Sequence, residues 1–294
     1  MELPMQFNAK KPTQSGISHQ ISPLITRIIA NNASPFTFTG TCSYIIGNHE
    51  IAILDPGSEE DEAHLQSLIK VIDGRPVKAI LISHTHKDHS PLSRALAKHV
   101  KAPIIGAKPY EIAQSKAIGL DASHDKDHRP DQILEDGDCI FGDGWTLETV
   151  ATPGHTANHL CFALQNTDYL FSADHIMGWN TTIIAPPDGN MKDYIASIDK
   201  LLQREENSYL PGHGDLIPNG KKRAKAIKSH RMMRERVIIK KLANFNEEPS
   251  LEIFTKLVYP HIEPNLMGAA MLSTFSHLEK IAEEGNEKAH LFLF

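Results

Sequence analysis

With 294 residues, 40% of them hydrophobic and 22% charged, the chain has room for one large domain and a smaller one and the make-up of an ordinary globular protein. Its net charge of −6 gives no overall field for nucleic acid or an anionic membrane, so such a partner would need a local patch. Cys42, Cys139 and Cys161 form no C-x-x-C pair and are too few for a disulfide framework. The N-terminal MELPMQFNAKKPTQSG lacks the apolar segment of a secretory signal, and no apolar run approaches the roughly eighteen residues of a membrane span. A reduced cytoplasmic setting without a membrane partner is expected, and the sequence carries no signal for oligomeric state.

In chain order, residues 1–20 read as a flexible polar tail, and residues 25–30, 42–46 and 51–54 as strands, the last two joined through Gly47-Asn48. A helix should follow, capped by Ser58, with Leu65, Leu68, Ile69 and Ile72 on one face. Residues 77–82 form a strand running straight into LISHTHKDHS, after which Ser90 as cap and Pro91 at the first helical position should open another helix. Residues 119–131 read as a polar loop. Residues 133–140, 147–150, 159–164 and 169–172 suggest a second sheet, and residues 193–202 a helix carrying Ile195, Ile198 and Leu202. From about Gly220 the character changes: residues 221–241 hold ten Lys/Arg against the single Glu235, a local charge of +9. The remainder reads as one helix with Leu251, Phe254, Leu257 and Val258, another with Met271, Phe275 and Leu278, a turn at Gly285 and a final AHLFLF strand. The chain thus divides into the tail, an α/β catalytic domain over 21–218 and a small helical accessory domain over 219–294.

HTHKDH places His84, His86, Asp88 and His89 between a strand end and a helix start. Side chains of an extended segment alternate, so His84 and His86 project to one side, while Asp88 and His89 fall where the chain turns towards a second point. One loop can therefore feed two neighbouring ions. Later loops supply the rest: TPGHTANH offers His155 and His159, YLFSADH offers Asp174 and His175, and YLPGHGD offers His213. His84, His86 and His155 can form one three-nitrogen site and Asp88, His89 and His213 the other, with Asp174 bridging. Imidazole and carboxylate suit zinc, with iron and manganese the alternatives, and leave positions open for water. Two Zn2+ ions per chain about 3.5–4 Å apart can share a hydroxide of pKa near 7, a nucleophile for hydrolysis without a nucleophilic side chain. Asp88 would orient that hydroxide, and His159 and His175 are candidate general acids.

HTHKDH, TPGHT, SAD and PGHG in that order, preceded by ILDPG, resemble the metallo-β-lactamase superfamily over roughly residues 24–215. The resemblance implies an αββα sandwich with a dinuclear site along one edge, and gives Asp55 of ILDPG the task of supporting the ligand loop without binding metal. SPFTFTGTCSYIIG and the helical C-terminus further resemble a lactamase-like subgroup with an appended winged helix, some of whose members cleave RNA. Secreted zinc β-lactamases of the best-known type place a cysteine at the second metal, where this chain has an aspartate. Glyoxalase II, the hydroxyacylglutathione thioesterase, shares HxHxDH and the bridging aspartate, but its last histidine sits in a different context.

The leading expectation is a dinuclear zinc hydrolase whose substrate the sequence leaves unassigned; single-stranded RNA is one candidate, with the basic stretch as a phosphate contact and Phe245 as the one aromatic residue close by. A thioesterase resembling glyoxalase II, acting on a small ester or thioester, is the alternative. A nucleic-acid-binding protein with structural metals is the alternative from another class, disfavoured because structural zinc sites are closed by four ligands. A solvated helix face is the plain reading of the basic stretch, and packing or surface roles are expected of His99, His124, His128 and His230.

Overall fold

The structure, a computed structural model, describes residues 14–111 and 123–293. The apolar alternation of its strands builds two sheets. The first contains β1 (His19–Ser22), β2 (Ile25–Ile29), β3 (Cys42–Ile46), β4 (Ile51–Leu54), β5 (Val77–Ile82), β6 (Ile104–Gly106) and β7 (Gln132–Ile133), side by side in that order. β8 (Cys139–Gly142), β9 (Trp145–Ala151), β10 (Leu160–Leu164), β11 (Tyr169–Ala173) and β12 (Ser208–Pro211) form the second, in reverse order. β10 shows why they stack: Leu160, Phe162 and Leu164 enter the core shared with the first sheet, while Cys161 and Ala163 enter a second core beneath helices. α1 (Glu62–Ile72) and α2 (Ser93–Val100) cover the first sheet, and α3 (Met191–Gln203) and the first half of α4 (Gly220–Ala243) cover the second. This is the expected αββα sandwich.

Several local expectations need correction. Asp61 caps α1 by accepting the His64 amide at 2.9 Å, because it lies three residues before that orphan donor and Ser58 does not. α2 begins at Ser93, and Ser90 Oγ instead donates to Asp125 at 2.8 Å. Residues 133–140 do not form one strand: Ile133 ends the first sheet, a turn at 135–138 intervenes, and Cys139 opens the second. The expected loop at 119–131 falls partly outside the described residues.

The C-terminal part contains α5 (Leu251–Val258), α6 (Met267–Glu283) and α7 (Glu287–His290) around a core of Ile238, Leu242, Phe254, Leu278 and Ile281. The AHLFLF segment holds the end of α7 and a turn, because Asn286 caps the Ala289 amide and Phe292 packs back on Phe245 and Phe254. Among the described residues this part has helices and no strand, so the β-wing of a winged helix is not present. The chain crosses from the sandwich into it without a linker, since the 24-residue α4 packs its first half on α3 and its second half in the C-terminal core. No helix among the described residues is long and apolar enough to cross a membrane.

Candidate metal centre

Loops leaving β5, β9, β11 and β12 meet at one edge of the sandwich, where the amide of Cys42 donates to the Gly212 carbonyl at 2.7 Å and joins the two sheets. The donor atoms of His84, His86, His155 and Asp174 lie within 4.8 Å of one another, as do those of Asp88, His89 and His213. All seven expected ligands are brought together. Asp174 stands between the groups: its Oδ2 is 3.3 Å from His213 Nε2 and 3.7 Å from His155 Nε2, and its Oδ1 is 3.6 Å from His89 Nε2. Gly212 allows this convergence, since a Cβ there would stand 2.2 Å from Asp174 Oδ1 and 2.8 Å from His89 Cε1.

Outer hydrogen bonds set the tautomer of four of the imidazoles. His155 Nδ1 donates to the Ile183 carbonyl at 2.7 Å and His213 Nδ1 to the Gly40 carbonyl at 3.3 Å. His89 Nδ1 donates to Asp55 at 3.0 Å. Ser83 Oγ gives its hydrogen to Asp55 at 2.6 Å and so accepts from His84 Nδ1 at 2.9 Å. Each ring therefore turns an Nε2 inward, as metal-binding histidines require. Asp55, at a left-handed φ of 50°, also accepts the Ser83 amide, so one carboxylate touches both the His89 ring and the start of the loop that carries His84.

These donors fit a cation. Both His84 Nε2 and His155 Nε2 face His86 Nδ1 at 3.1 Å, and one N–H there cannot serve two lone pairs. Burial, followed by neighbouring imidazoles, pushes the basicity of His84 and His86 well below the ordinary histidine range. In the second group burial opposes charge on His213, but the Asp174 and Asp88 carboxylates outweigh it and raise its pKa to about 9. The same carboxylates raise His89, and Asp88 and Asp174 are in turn held well below the usual carboxylate range despite burial. Three lone pairs on one side and two carboxylates on the other make a site for positive charge, with the donor set of zinc, iron or manganese.

His159 and His175, the candidate general acids, lie outside the lining of the cavity above the donors. His159 is buried behind His84 and bonded to Thr152 Oγ1 at 2.8 Å, and His175 is buried against the Tyr194 ring. Both stand behind the candidate ligands instead of facing the cavity.

That cavity, about 300 Å3 in volume, is walled by Pro35, Phe36, Met177, Trp179, Ile183 and Pro187, with His86, Asp88, His155, Asp174 and His213 at its base. Phe38 braces Trp179 from behind in a stack at 5.0 Å. His124, expected to be a packing residue, lines the cavity: it is stacked on Tyr110 at 3.9 Å, next to His86, and 3.7 Å from Asp188. Sequence reading missed it because a histidine between Ser123 and Asp125 carries no ligand spacing. Its place comes from a bridge between residues 86 and 124 that only the fold creates.

The basic helix is divided: Lys222, Lys225, Arg236, Lys240 and Lys241 are exposed, while other cations turn inward. Arg223 donates to the Met177 and Asn180 carbonyls at 2.8 and 2.9 Å, and Arg231 donates to the Thr182 carbonyl. Lys228 pairs with Asp199, and Arg234 lies 3.9 Å over the Tyr259 ring. Phe245, the aromatic expected near a nucleic acid, is buried in the C-terminal core.

A two-sheet sandwich with a histidine–aspartate cluster at its edge defines the class of metallo-β-lactamase-like hydrolases. The sequence profile of the metallo-beta-lactamase superfamily matches residues 36–213, and the chain belongs to that superfamily. It is 31% identical to the beta-lactamase-like protein 2 homolog of Caenorhabditis elegans over 273 residues, covering 90% of this chain and 86% of that protein. An atrochrysone carboxyl ACP thioesterase of Pseudocercospora fijiensis is 25% identical, with 78% of this chain and 63% of that one covered. Among solved structures, a beta-lactamase domain protein from Burkholderia ambifaria superposes with a TM-score of 0.74 at 16% identity over 96% of both chains. A metallo-beta-lactamase family protein from Thermus thermophilus gives 0.71 at 20% identity, covering 90% of this chain and 95% of that one. These two likenesses concern the fold.

Proposed function

We propose that the chain is a two-zinc hydrolase of thioesters or carboxylic esters with an apolar acyl group. The observation that carries this is the cavity: its walls are mainly apolar, with a few polar groups such as His124, Asn180 and Asp188, and no lysine or arginine stands among the described residues that line it. A phosphodiester brings a negative charge at every linkage and is held by cations. An acyl group needs apolar walls with a few placed polar groups. The inward commitment of Arg223 and Arg231 removes two of the cations that favoured RNA. Relatives named as ACP thioesterases support the reading.

Zinc bound by His84, His86, His155, Asp174, Asp88, His89 and His213 would supply a Lewis acid and water acidic enough to ionise near neutral pH. The chain's own groups do the rest. Asp88, 26% exposed and held by Thr41 Oγ1 at 3.2 Å, is the carboxylate at the cavity floor that takes the proton of the attacking water. It returns that proton to the sulfur or oxygen that leaves when the acyl bond breaks, giving acid and thiol or alcohol. Phe36, Met177 and Trp179 hold the acyl group and exclude bulk water.

The experiment is thiol release from an aryl and a medium-chain acyl thioester by zinc-loaded protein, beside cleavage of labelled single-stranded RNA. Thioester turnover abolished by chelation is expected. RNA cleavage with no thioester turnover would overturn the reading in favour of a nuclease.

A further inference from the structure

Asp174 sits in a tight turn, in which the His175 amide donates to the Ser172 carbonyl at 3.0 Å and the Gly212 amide donates to the Ala173 carbonyl at 2.7 Å. Ala173 before it takes a left-handed φ of 41°, a conformation that a non-glycine residue keeps only when its surroundings impose it. Beyond those backbone bonds, two side chains hold the turn. Thr182 Oγ1 donates to the Asp174 carbonyl at 2.6 Å and to the His175 carbonyl at 3.1 Å. Tyr194 Oη donates to the His175 carbonyl at 2.9 Å. Thr182 is in turn fixed by Arg231, a 5% exposed side chain of α4 whose Nη2 donates to the Thr182 carbonyl while Nη1 donates to Ser273 Oγ of α6 at 3.2 Å. The same guanidinium lies 5.9 Å over the Tyr194 ring.

We propose that Arg231 is a positioning residue of the metal centre: through Thr182 it aligns the shared Asp174 carboxylate, so the C-terminal helices complete the site. This rests on the reading of the seven residues as metal ligands. It gives a purpose to a cation buried in a run whose composition suggested a solvated or nucleic-acid-binding face. It also accounts for α4 passing unbroken from the sandwich into the C-terminal core, because one rigid helix carries a side chain from one to the other.

The test is cobalt titration of the full chain, followed by visible absorption and calorimetry, for wild type, Arg231→Met, Thr182→Val, the double variant and Arg234→Met. Arg234 lies on the same helix but, among the described residues, bonds the Val258 carbonyl and lies over the Tyr259 ring, away from Asp174. Arg231→Met and Thr182→Val should each weaken cobalt binding about ten-fold or more, as loss of a supporting partner does. The double variant should lose little beyond the larger single effect, and Arg234→Met should bind as wild type does. Folded Arg231→Met with wild-type affinity overturns the proposal, as does equal weakening by Arg234→Met. If Arg231→Met fails to fold, Thr182→Val decides by the same criterion. A wild-type chain that takes up no cobalt overturns both this proposal and the metal reading. The predicted cobalt pattern without thioester turnover overturns the substrate reading alone.

Discussion

His89 meets two demands with one ring. Its Nδ1 hydrogen goes to Asp55, and its buried Nε2 turns towards Asp88 and Asp174. Replacing Asp55 by asparagine keeps the shape but lets an amide face that hydrogen and the Ser83 hydroxyl. Metal affinity should fall about 10–100-fold, measured by competition with a chromogenic chelator, with the fold retained. His213 makes a pH prediction. Its pKa in the folded chain is raised from 6.5 to about 9, so its pairing with Asp174 and Asp88 stabilises the metal-free fold fully below pH 6.5. That contribution is lost as pH rises through 9. A metal must displace the proton, so zinc affinity should rise with pH between 6.5 and 9. Calorimetry at about pH 7 in two buffers of different ionisation enthalpy should show proton release, and identical heats would contradict the assignment. The ligands themselves were legible, because H-x-H-x-D-H is a local spacing that serves two ions from one turn. His124 was not, because its contact with His86 joins residues 38 positions apart.

At the scale of elements, tight approaches and caps decide what a loop can hold. Gly212→Ala would push a methyl group into Asp174 and His89, two ligands at once. Its expected signature is at least about a ten-fold loss of metal affinity, larger than its effect on the melting temperature, because the clash lies at the site and not in either core. α3 carries Tyr194 beneath the same loop, and Asn190 caps it by accepting the Asp193 amide at 3.0 Å. Asn190→Ala should cost about 1 kcal/mol in urea denaturation. The sequence misled on elements where a local signal had two meanings. Ser90-Pro91 has the form of a helix start, but the Ser90 hydroxyl finds a better partner in the buried Asp125 carboxylate. AHLFLF alternates like a strand, yet no strand is there among the described residues to pair with it, and Phe292 gains more by joining Phe245 and Phe254.

For the whole molecule, the metal centre is a seam. Loops from both sheets supply its candidate ligands, and Arg231 of α4 bonds Thr182, which bonds the Asp174 carbonyl, so metal occupancy should stabilise the entire fold. A ligand at about a thousand times its dissociation constant adds about 4 kcal/mol. Prolonged chelation should therefore lower the melting temperature by several degrees, and restored zinc should recover it; an unchanged transition would mean that the ligands are no better ordered with metal than without.

The motifs pointed, through the resemblance they carry, to the superfamily, its αββα sandwich and a supporting place for Asp55, and local spacing pointed to the seven candidate ligands, because ligand spacing within a loop is a short-range property. What surrounds that centre appears only in three dimensions: a mainly apolar cavity with no lysine or arginine in its described lining, His124 in its wall, His159 and His175 behind it, and a C-terminal part with no strand among its described residues. The physical reason is direction. Composition counts the ten positive charges of residues 221–241, but whether an arginine faces water or a buried carbonyl depends on the partner surface, and here that surface is the loop that holds Asp174.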